Sequence, residues 1–472
     1  IAPIALDAAF EPDFYKMYYK DVDDLSPAEA YRHWLFKGLP EGRVGSEAQL
    51  LKEKLIGRAF FPSAFDWKSY AKRLAPKQTR WSALEHLLWQ GFEEGRDIPT
   101  LEGDESYLFE CIADFLWGRG KHESAQKALR MYLKKNPEDG RLHHKLGDFL
   151  LETGCRDEAA SQYRISYSRN YKSIWTLLNL ADFASQSNDF ESAYRFLAEG
   201  KNDFSGEQAW RQKLGDVVSR HHDKASDEAS SLFKMNERAR AEERFEQALK
   251  RITRAYWELD DLPVPISFEG PRHVVMFSLL TVPQCRHYRV EQRLQQFQEL
   301  GIKVLHFGGH QPYEAASALV GASALIIFRE PALPTTIKLI LHAKALGIRT
   351  FYEIDDLIFD SNYYPEPIEN YGSQVTFDEY IGLLCGVVLY RFAMSLCDEG
   401  ITTTDQLASH VKSVVTQGVC HVIPNGMDAR NEPFVNAPAT YTTNKDLFIF
   451  YGSGTTTHNR NFNECIAPAL SE

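Results

Sequence analysis

The chain has 472 residues, and its 65 acidic and 53 basic side chains leave a formal charge of −12 at pH 7. Hydrophobic residues make up 44% and charged residues 25%, an ordinary balance for a folded protein that excludes a largely disordered chain. The acidic balance argues against a surface that follows nucleic-acid phosphates, and the length predicts about three domains.

Targeting signals and cysteine spacing indicate in which cellular compartment we expect the protein. No apolar run reaches the roughly 18 residues that span a bilayer, and the first four residues carry neither a basic region nor a starting Met, so we expect a trimmed chain rather than a signal peptide. The cysteines are scattered without a C-x-x-C spacing, which predicts reduced thiols in a cytoplasmic protein, most of them in the core. They are Cys111, Cys155, Cys285, Cys385, Cys397, Cys420 and Cys465.

Residues 1–103 contain a short motif twice. His-x4-Gly-x2-Glu-Gly-Arg occupies 33–43 and recurs at 86–96, each time after an aromatic-rich stretch. The glycines suit the end of a helix and the turn that follows it. We therefore predict two small helical modules with aromatic cores, in which Glu-Gly-Arg forms a turn rather than a catalytic group.

A second repeat, with a period of 34, follows over residues 104–259. Small residues recur at Ala113, Gly147 and Ala181, and the same step links Ala125, Ala159 and Ala193 and the bulky Leu129, Tyr163 and Leu197. This spacing resembles the tetratricopeptide repeat, in which paired helices stack into a solenoid. We predict three repeats and a degenerate fourth over Asp104–Arg220, capped by one long helix over Asp223–Leu259 with a polar outer face.

Beyond a Pro-containing linker at 260–270, the pattern changes to apolar runs of strand length that alternate with helical stretches. The predicted strands are His273–Leu279, Lys303–Phe307, Ala324–Phe328, Ile348–Ile354, Gly400–Thr403 and Val419–Ile423. Strands without polar alternation, joined by crossover helices, predict a parallel sheet buried on both faces. Residues 271–430 are therefore predicted to form a Rossmann-like, doubly wound α/β domain.

Residues 431–472 are predicted to be a linker and the start of a second α/β domain. A strand at Leu447–Tyr451 leads into Gly452-Ser453-Gly454, and a helix is predicted from Asn461. Glycines before a helix N-terminus suit a phosphate group, although Thr457 stands where a dinucleotide fingerprint has its third glycine. His458, Asn459 and Arg460 add donors for phosphate or sugar oxygens. The sheet of this domain is unfinished at Glu472, so we expect the natural protein to continue.

Polar residues follow the strands of the first α/β domain at the edge where such sheets bind ligands. Arginines there suit phosphate oxygens, and carboxylates suit sugar hydroxyls or proton transfer. Each residue taken alone is about as well explained by a structural role, as a surface residue or part of an ion pair, as by a functional one. The clustering at five strand ends favours a site. The residues are Arg286, His287, Tyr288, Arg289, Arg329, Glu330, Glu353, Asp355, Asp356, Thr402, Thr403, Thr404, Asp405, Asn425 and Gly426.

Other chemistries lack their motifs. The sequence has neither a P-loop nor a G-x-S-x-G elbow, which argues against a Walker-type NTPase and an α/β-hydrolase. The paired histidines at 143–144 and 221–222, and His306 and His310, are interpreted as solvated or packed. Asp355 and Asp356 suggest a divalent cation, but adjacent side chains at a strand end are expected to diverge, so we predict no metal.

Several of these segments together resemble bacterial GT-B glycosyltransferases of the broad retaining class called family four. The segments are Tyr288-Arg289, the run 352–357 (YEIDDL), the run 423–426 (IPNG), and the stretches 451–455 and 458–462 of the second α/β unit. The N-terminal modules also look like short units found ahead of bacterial polysaccharide glycosyltransferases, although the second lacks a match to residues 19–22.

The resemblance implies transfer of a sugar from a nucleotide-sugar, used as substrate, to a polysaccharide, glycolipid or protein acceptor, without a metal or other cofactor. Asp355 and Asp356 are the implied catalytic residues. The acceptor side of the cleft is implied to contain Arg286, His287, Arg289, Arg329, Thr404 and Asn425. The donor diphosphate is implied to bind Gly452, Ser453, Gly454, His458, Asn459 and Arg460. The glutamates that hold the donor in this family would follow Glu472, so this fragment alone is expected to transfer poorly.

A different class of function stays open. A helical-repeat scaffold can bind a peptide or protein partner on its concave surface while the α/β part serves as a non-catalytic platform. In the glycosyltransferase interpretation the same repeats recruit the acceptor or a partner protein. No nucleic-acid partner is expected, and peripheral association with the inner face of a membrane is an open alternative.

Overall fold

The structure is a computed structural model that describes residues 9–74, 78–265, 267–280, 285–371, 374–430, 432–435 and 462–471. It divides into two compact units, residues 1–180 and 181–472. This division falls inside the helical repeats, and the predicted domain boundaries stay predictions. Each unit is described by itself below.

The N-terminal modules consist of short helices, three of which continue into a wider π turn, at 34–38, 50–55 and 87–91. The helices are α1 (Pro12–Tyr18), α2 (Pro27–His33), α3 (Glu47–Gln49), α4 (Trp67–Ala71) and α5 (Arg80–His86). In the first module Tyr15 Oη lies 3.0 Å from His33 Nδ1, and in the second Tyr70 Oη lies 3.0 Å from His86 Nδ1. The sequence repeat is thus a structural repeat, with an equivalent tyrosine–histidine hydrogen bond in each copy.

The Glu-Gly-Arg segments form turns, as predicted. Gly42 and Gly95 adopt φ of 72° and 70°, values that favour glycine. Arg43 Nε donates to Glu41 at 2.8 Å, and Arg96 Nε donates to Glu94 at 2.6 Å. In each turn the arginine side chain thus hydrogen-bonds the glutamate two residues before it.

Paired helices with the predicted period follow. They are α6 (Glu105–Trp117), α7 (His122–Lys135), α8 (Gly140–Glu152), α9 (Arg156–Ser168), α10 (Ile174–Gln186) and α11 (Phe190–Phe204). The small positions of the repeat are fully buried, and a Cβ on Gly147 would come within 2.9 Å of the Tyr163 ring. Close helix approach is therefore the reason for these small residues. The turns share the period as well, because Gly120, Gly154 and Asn188 have φ of 73°, 82° and 62°.

The predicted single capping helix is wrong. Two antiparallel helices, α12 (Gln208–Lys234) and α13 (Arg238–Leu259), occupy this region, and the chain reverses at Asn236 with φ of 61°. Asparagine tolerates this left-handed conformation, which ends α12 and allows Phe233 and Phe245 to become buried. The outer surface of the pair is also not polar throughout, because α12 and α13 both pack against helices of the α/β layer described next.

The described residues form one parallel sheet of six strands in the order β2-β1-β3-β4-β5-β6, which confirms the Rossmann-like prediction. The strands are β1 (His273–Ser278), β2 (Val304–Gly308), β3 (Ala322–Phe328), β4 (Arg349–Glu353), β5 (Glu399–Thr402) and β6 (Val419–Val422). The connecting helices are α14 (Gln292–Glu299), α15 (Pro312–Ser317), α16 (Pro334–Ala345), α17 (Phe377–Leu396) and α18 (Asp405–Lys412). The inner strands are buried, whereas the edge strand β6 is largely exposed.

In the described part of the chain one helix, α17, has the length and mean hydropathy (1.4) of a membrane span. It corrects the expectation that no stretch approaches that length. The helix packs against α12, α13 and α16 and carries Asp378, Glu379 and Arg391, as a core helix of the α/β layer does.

Residues 431–472, predicted to be a linker and the start of a second α/β domain, are described only in part. Helical segments occur at α19 (Glu432–Val435), at 462–466 and at α20 (Ala467–Ser471), which agrees with a helix predicted from Asn461. The predicted strand 447–451 and the glycine loop 452–454 lie outside the described residues.

Candidate functional site

The strand order reverses between β1 and β3, because β1 leads outward to β2 whereas β3 leads the other way to β4. In parallel sheets the crevice at this point, beyond the carboxyl ends of the strands, is where ligands bind. The residues after β1, β3 and β4 therefore define the candidate site.

Arg329, directly after β3, is the centre of a charged cluster. Its Nη1 donates to Asp355 Oδ1 at 3.0 Å and to Asp356 Oδ2 at 2.6 Å. Burial alone would lower the pKa of Arg329, but the charges of Asp356 and Asp355 raise it above its ordinary value. Arg329 adopts φ of 53°, an unusual conformation for a non-glycine residue that turns its side chain toward these two carboxylates.

The two adjacent carboxylates therefore converge on one guanidinium, which corrects the expectation that they diverge. Cys285 joins them, and its Sγ, Asp355 and Asp356 offer ligand atoms within 4.8 Å of one another. Arg329 Nη1 already lies among these atoms, 3.3 Å from the sulfur. Burial, followed by the charge of Asp355, raises the pKa of Cys285 to about 12, so the thiol is protonated at pH 7. The predicted absence of a metal stays a prediction.

Arg289 is buried below the carboxyl ends of the strands and is not exposed at that end of the sheet. Its guanidinium is fully buried in an ion pair with Glu353, and its Nη1 donates to Ile423 O at 2.9 Å and to Asn425 Oδ1 at 3.2 Å. Arg293 approaches the same carboxylate at 3.3 Å. Arg289 and Asn425 thus meet, as predicted for strand ends, but this contact ties the segment after β6 to the sheet. Their assignment to the acceptor cleft stays a prediction, and the ion pair of Arg289 with Glu353, which already occupies its guanidinium, weighs against it.

The other predicted acceptor-side residues have structural partners. Arg286 is exposed, and its Nε lies 3.2 Å from Glu291. His287 Nε2 lies 3.1 Å from Asp428 in the segment that leaves β6. Thr404 Oγ1 accepts a hydrogen bond from Leu407 N at 3.2 Å, which makes it the N-cap of α18. Their roles toward a ligand stay predictions. The six donor-side residues, Gly452, Ser453, Gly454, His458, Asn459 and Arg460, lie outside the described residues.

Glu330 is one of several strand-end residues that the sequence did not lead us to assign to the site. Its side chain is 3% exposed, and burial raises its pKa to about 7. In the described part of the chain its Oε1 has no hydrogen-bond partner. The signal in the sequence was its position directly after β3, but the absence of a counter-ion is visible only in three dimensions.

A polar pair lies on the neighbouring strands. Ser278 Oγ, at the end of β1, and His306 Nε2, on β2, are 2.6 Å apart. Burial and the charge of Arg286 lower the pKa of His306, so this imidazole is neutral at pH 7. The interpretation of His306 as a packed histidine agrees with this contact.

Comparison with known proteins gives matches among solved structures. No protein-family model and no curated protein sequence matches the chain. Among solved structures, the chain is similar to a mutant form of the O-GlcNAc transferase of Thermobaculum terrenum, with 11% identity over 70% of this chain and 76% of that chain and a TM-score of 0.21. The assignment of this chain to a helical solenoid followed by a Rossmann-like domain rests on its own repeat spacing and strand order.

Proposed function

We propose that the chain belongs to a glycosyltransferase in which the described α/β domain binds the acceptor and the second α/β unit binds a nucleotide-sugar. The observation that supports it most is the charged cluster of Arg329, Asp355 and Asp356 beside the point where the strand order reverses. Fixed carboxylates paired with a guanidinium suit the hydroxyl groups of a carbohydrate, which need directed donors and acceptors rather than a net charge.

The proposal gives each group a task. Asp356, whose side chain is 54% exposed, accepts hydrogen bonds from acceptor hydroxyls. Arg329 and Asp355, both largely buried, hold the cluster in one geometry. The glycine loop at 452–454 and Arg460 face the donor diphosphate, and the helical repeats recruit the acceptor or a partner protein. No cofactor takes part, and the enzyme works in the cytoplasm or at the inner face of the membrane.

Two measurements test this function. The complete natural protein is melted with a panel of UDP-, GDP- and dTDP-sugars, and we expect one nucleotide series to raise the melting temperature, because a ligand of the native state stabilises it. Turnover is then followed as release of the nucleoside diphosphate. If no nucleotide-sugar stabilises the protein or is turned over, the proposal is wrong.

A point variant tests the cluster. Asp356→Asn keeps the size of a half-exposed side chain, so we expect an unchanged melting temperature and a loss of transfer of about 100-fold. Glu369→Gln, which changes an ordinary carboxylate outside the cluster, serves as the matched control. Undiminished transfer by Asp356→Asn would remove the cluster from the site.

A scaffold function is the second candidate, and the structural engagement of Arg289, His287 and Thr404 favours it. In that case the edge of the sheet stabilises the fold, and the repeats bind a partner without catalysis. Deletion of residues 1–180, the first compact unit, separates the two. Retained turnover on small acceptors with loss of the natural acceptor supports recruitment, whereas partner binding without any nucleotide-sugar turnover supports the scaffold.

A further inference from the structure

The backbone around Glu330 is fixed from three sides. Arg329 N donates to Glu353 O at 3.1 Å, Tyr352 Oη donates to Glu330 O at 2.9 Å, and Ala332 N donates to Leu389 O at 3.1 Å. A side chain that starts from such a backbone is held in place without a hydrogen bond of its own.

The carboxyl group of Glu330 has no cation beside it in the described part of the chain. The guanidinium of Arg329, the preceding residue, is turned toward Asp355 and Asp356. On the other side, Gly309 comes so close that a Cβ there would strike Glu330 Oε1. The neighbouring titratable groups that sense its charge are the phenols of Tyr352 on β4 and Tyr390 on α17, and burial raises the pKa of both.

This isolation distinguishes Glu330 from comparable residues. Five carboxylate side chains are classed as buried in the described ranges: Glu110, Asp260, Glu330, Glu353 and Glu399. Four of them contact a basic side chain, respectively Arg141, Lys338, Arg289 and Arg349. A buried carboxyl without a partner destabilises a fold, so its presence at a ligand-binding edge indicates a use.

We propose that Glu330 is a catalytic residue, the group that accepts the proton of the acceptor hydroxyl during sugar transfer. This inference rests on the proposed function and deepens it by assigning a base. It is carried by a buried carboxyl at the crevice where the strand order reverses, whose Oε1 has no hydrogen-bond partner among the described residues.

The chemical step balances. The O–H bond of the acceptor breaks, and its proton goes to the Glu330 carboxylate. The hydroxyl oxygen forms a bond to the anomeric carbon of the nucleotide-sugar, and the bond from that carbon to the diphosphate oxygen breaks, so that its electron pair leaves with the nucleoside diphosphate. A carboxyl with a pKa of about 7 is half ionised at neutral pH, which suits a group that both takes and releases a proton.

The test uses the complete natural protein, a panel of UDP-, GDP- and dTDP-sugars, and water or added methyl glycosides as the hydroxyl compounds. For the wild type we expect a rate that rises with pH through about 7. Glu330→Gln should lower kcat by about 100-fold or more, leave KM for the nucleotide-sugar within about twofold, and remove this pH dependence. Glu330→Asp should retain the pH dependence at a reduced rate.

Two further variants separate chemistry from folding. Gly309→Ala displaces the carboxyl without changing its chemistry and should lower kcat, and Glu314→Gln, which alters an exposed carboxyl on the nearby helix α15, should change nothing. Infrared difference spectra of wild type against Glu330→Gln, or against Glu330→Asp where Gln does not fold, should show a protonated carboxyl that titrates near pH 7.

The outcomes are distinct. A Glu330→Gln variant with wild-type kcat and pH profile overturns the role of Glu330 and leaves sugar transfer intact. The absence of a carboxyl titrating near neutral pH in the infrared spectrum also overturns it, whether or not turnover is found. A wild type that never turns over any nucleotide-sugar overturns the proposed function itself.

Discussion

Two buried glutamates, Glu110 in the helical repeats and Glu330 at the carboxyl end of β3, differ in the charges that surround them. Glu110 on α6 is 8% exposed and lies within 3.1 Å of Arg58, 2.6 Å of Arg141 and 2.9 Å of Lys145. Burial acts to raise its pKa, but hydrogen bonds from these three cations lower it to about 2. Glu330 is buried to a similar degree with no cation beside it among the described residues, and burial raises its pKa to about 7.

Burial alone therefore does not decide whether a carboxyl group is protonated at neutral pH. In the repeats, cations compensate the buried charge and hold helices together, so Glu110 is a structural residue. At the carboxyl end of β3 the described residues place no cation beside Glu330, so its carboxyl group can exchange a proton near neutral pH. The predictions below test this contrast, beginning with the largest effect.

Removal of the countercharge of a third buried carboxylate should have the largest effect. Arg289→Met removes the closest cation of the buried Glu353, leaving Arg293 at 3.3 Å, and also removes the hydrogen bonds to Ile423 O and Asn425 Oδ1, so we expect a loss of about 3 to 5 kcal/mol in the free energy of unfolding. Urea unfolding at pH 7 measures it. The control is Arg349→Met, because Arg349 is 63% exposed opposite Glu399 and its replacement should have a smaller effect. A loss below about 1 kcal/mol for Arg289→Met would contradict the structural role of the pair.

Glu330→Gln should change how the free energy of unfolding depends on pH. The folded-state pKa of about 7 lies above the ordinary 4.5, so the native state binds the proton more tightly and the wild type loses stability as pH rises from 4.5 to 7. The loss amounts to about 3 kcal/mol, and Gln removes it. Urea unfolding at pH 5 and pH 8 should therefore show a variant that is more stable than wild type at pH 8. Equal pH slopes for both proteins would contradict an unpaired carboxyl.

Glu110→Gln should behave in the opposite sense. The pKa of Glu110 in the folded state, about 2, lies below the ordinary 4.5, so its contribution is present above pH 4.5 and disappears as pH falls toward 2. At pH 7 we expect the variant to lose about 2 kcal/mol, because three cations lose their carboxylate. The gap to wild type, measured by urea unfolding at pH 7 and pH 3, should narrow at the lower pH. A constant gap would indicate a loss of packing instead.

Breaking an exposed ion pair in the same repeats should have the smallest effect on the free energy of unfolding. Arg130 and Glu158 lie 2.7 Å apart, with side chains 44% and 51% exposed. Because water and salt screen such a pair, we expect Arg130→Met to change the free energy of unfolding by about 0.5 kcal/mol or less. A loss comparable to that of Glu110→Gln would show that burial is not what separates the two.

The sequence predicted those parts of the fold that depend on local pattern. A strict repeat leaves a periodic record of small and bulky residues, and strands buried on both faces leave apolar runs, so the repeats and the order of strands and helices were predictable. The reversal between α12 and α13 was not, because Asn236 was its one local signal within a helix-favouring stretch.

The candidate site was predicted as a location but not as a geometry. The residues after β1, β3 and β4 come together as expected from strand ends. Three facts depended on long-range contacts: the left-handed conformation of Arg329, the burial of Arg289 against Glu353, and the absence, among the described residues, of a cation beside Glu330. No spacing in the sequence encodes which charges meet after folding, so these required coordinates.

The helices α12 and α13 continue the repeats and at the same time cover one wall of the α/β layer, where Lys338 of α16 lies 2.9 Å from Asp260 at the end of α13. They therefore belong to two architectures at once. A recombination that exchanged this array of repeats for another would preserve the wall of the sheet only if it fell before Gln208. In evolution and in protein engineering, the interchangeable part ends about two helices earlier than the extended segment 261–265 suggests.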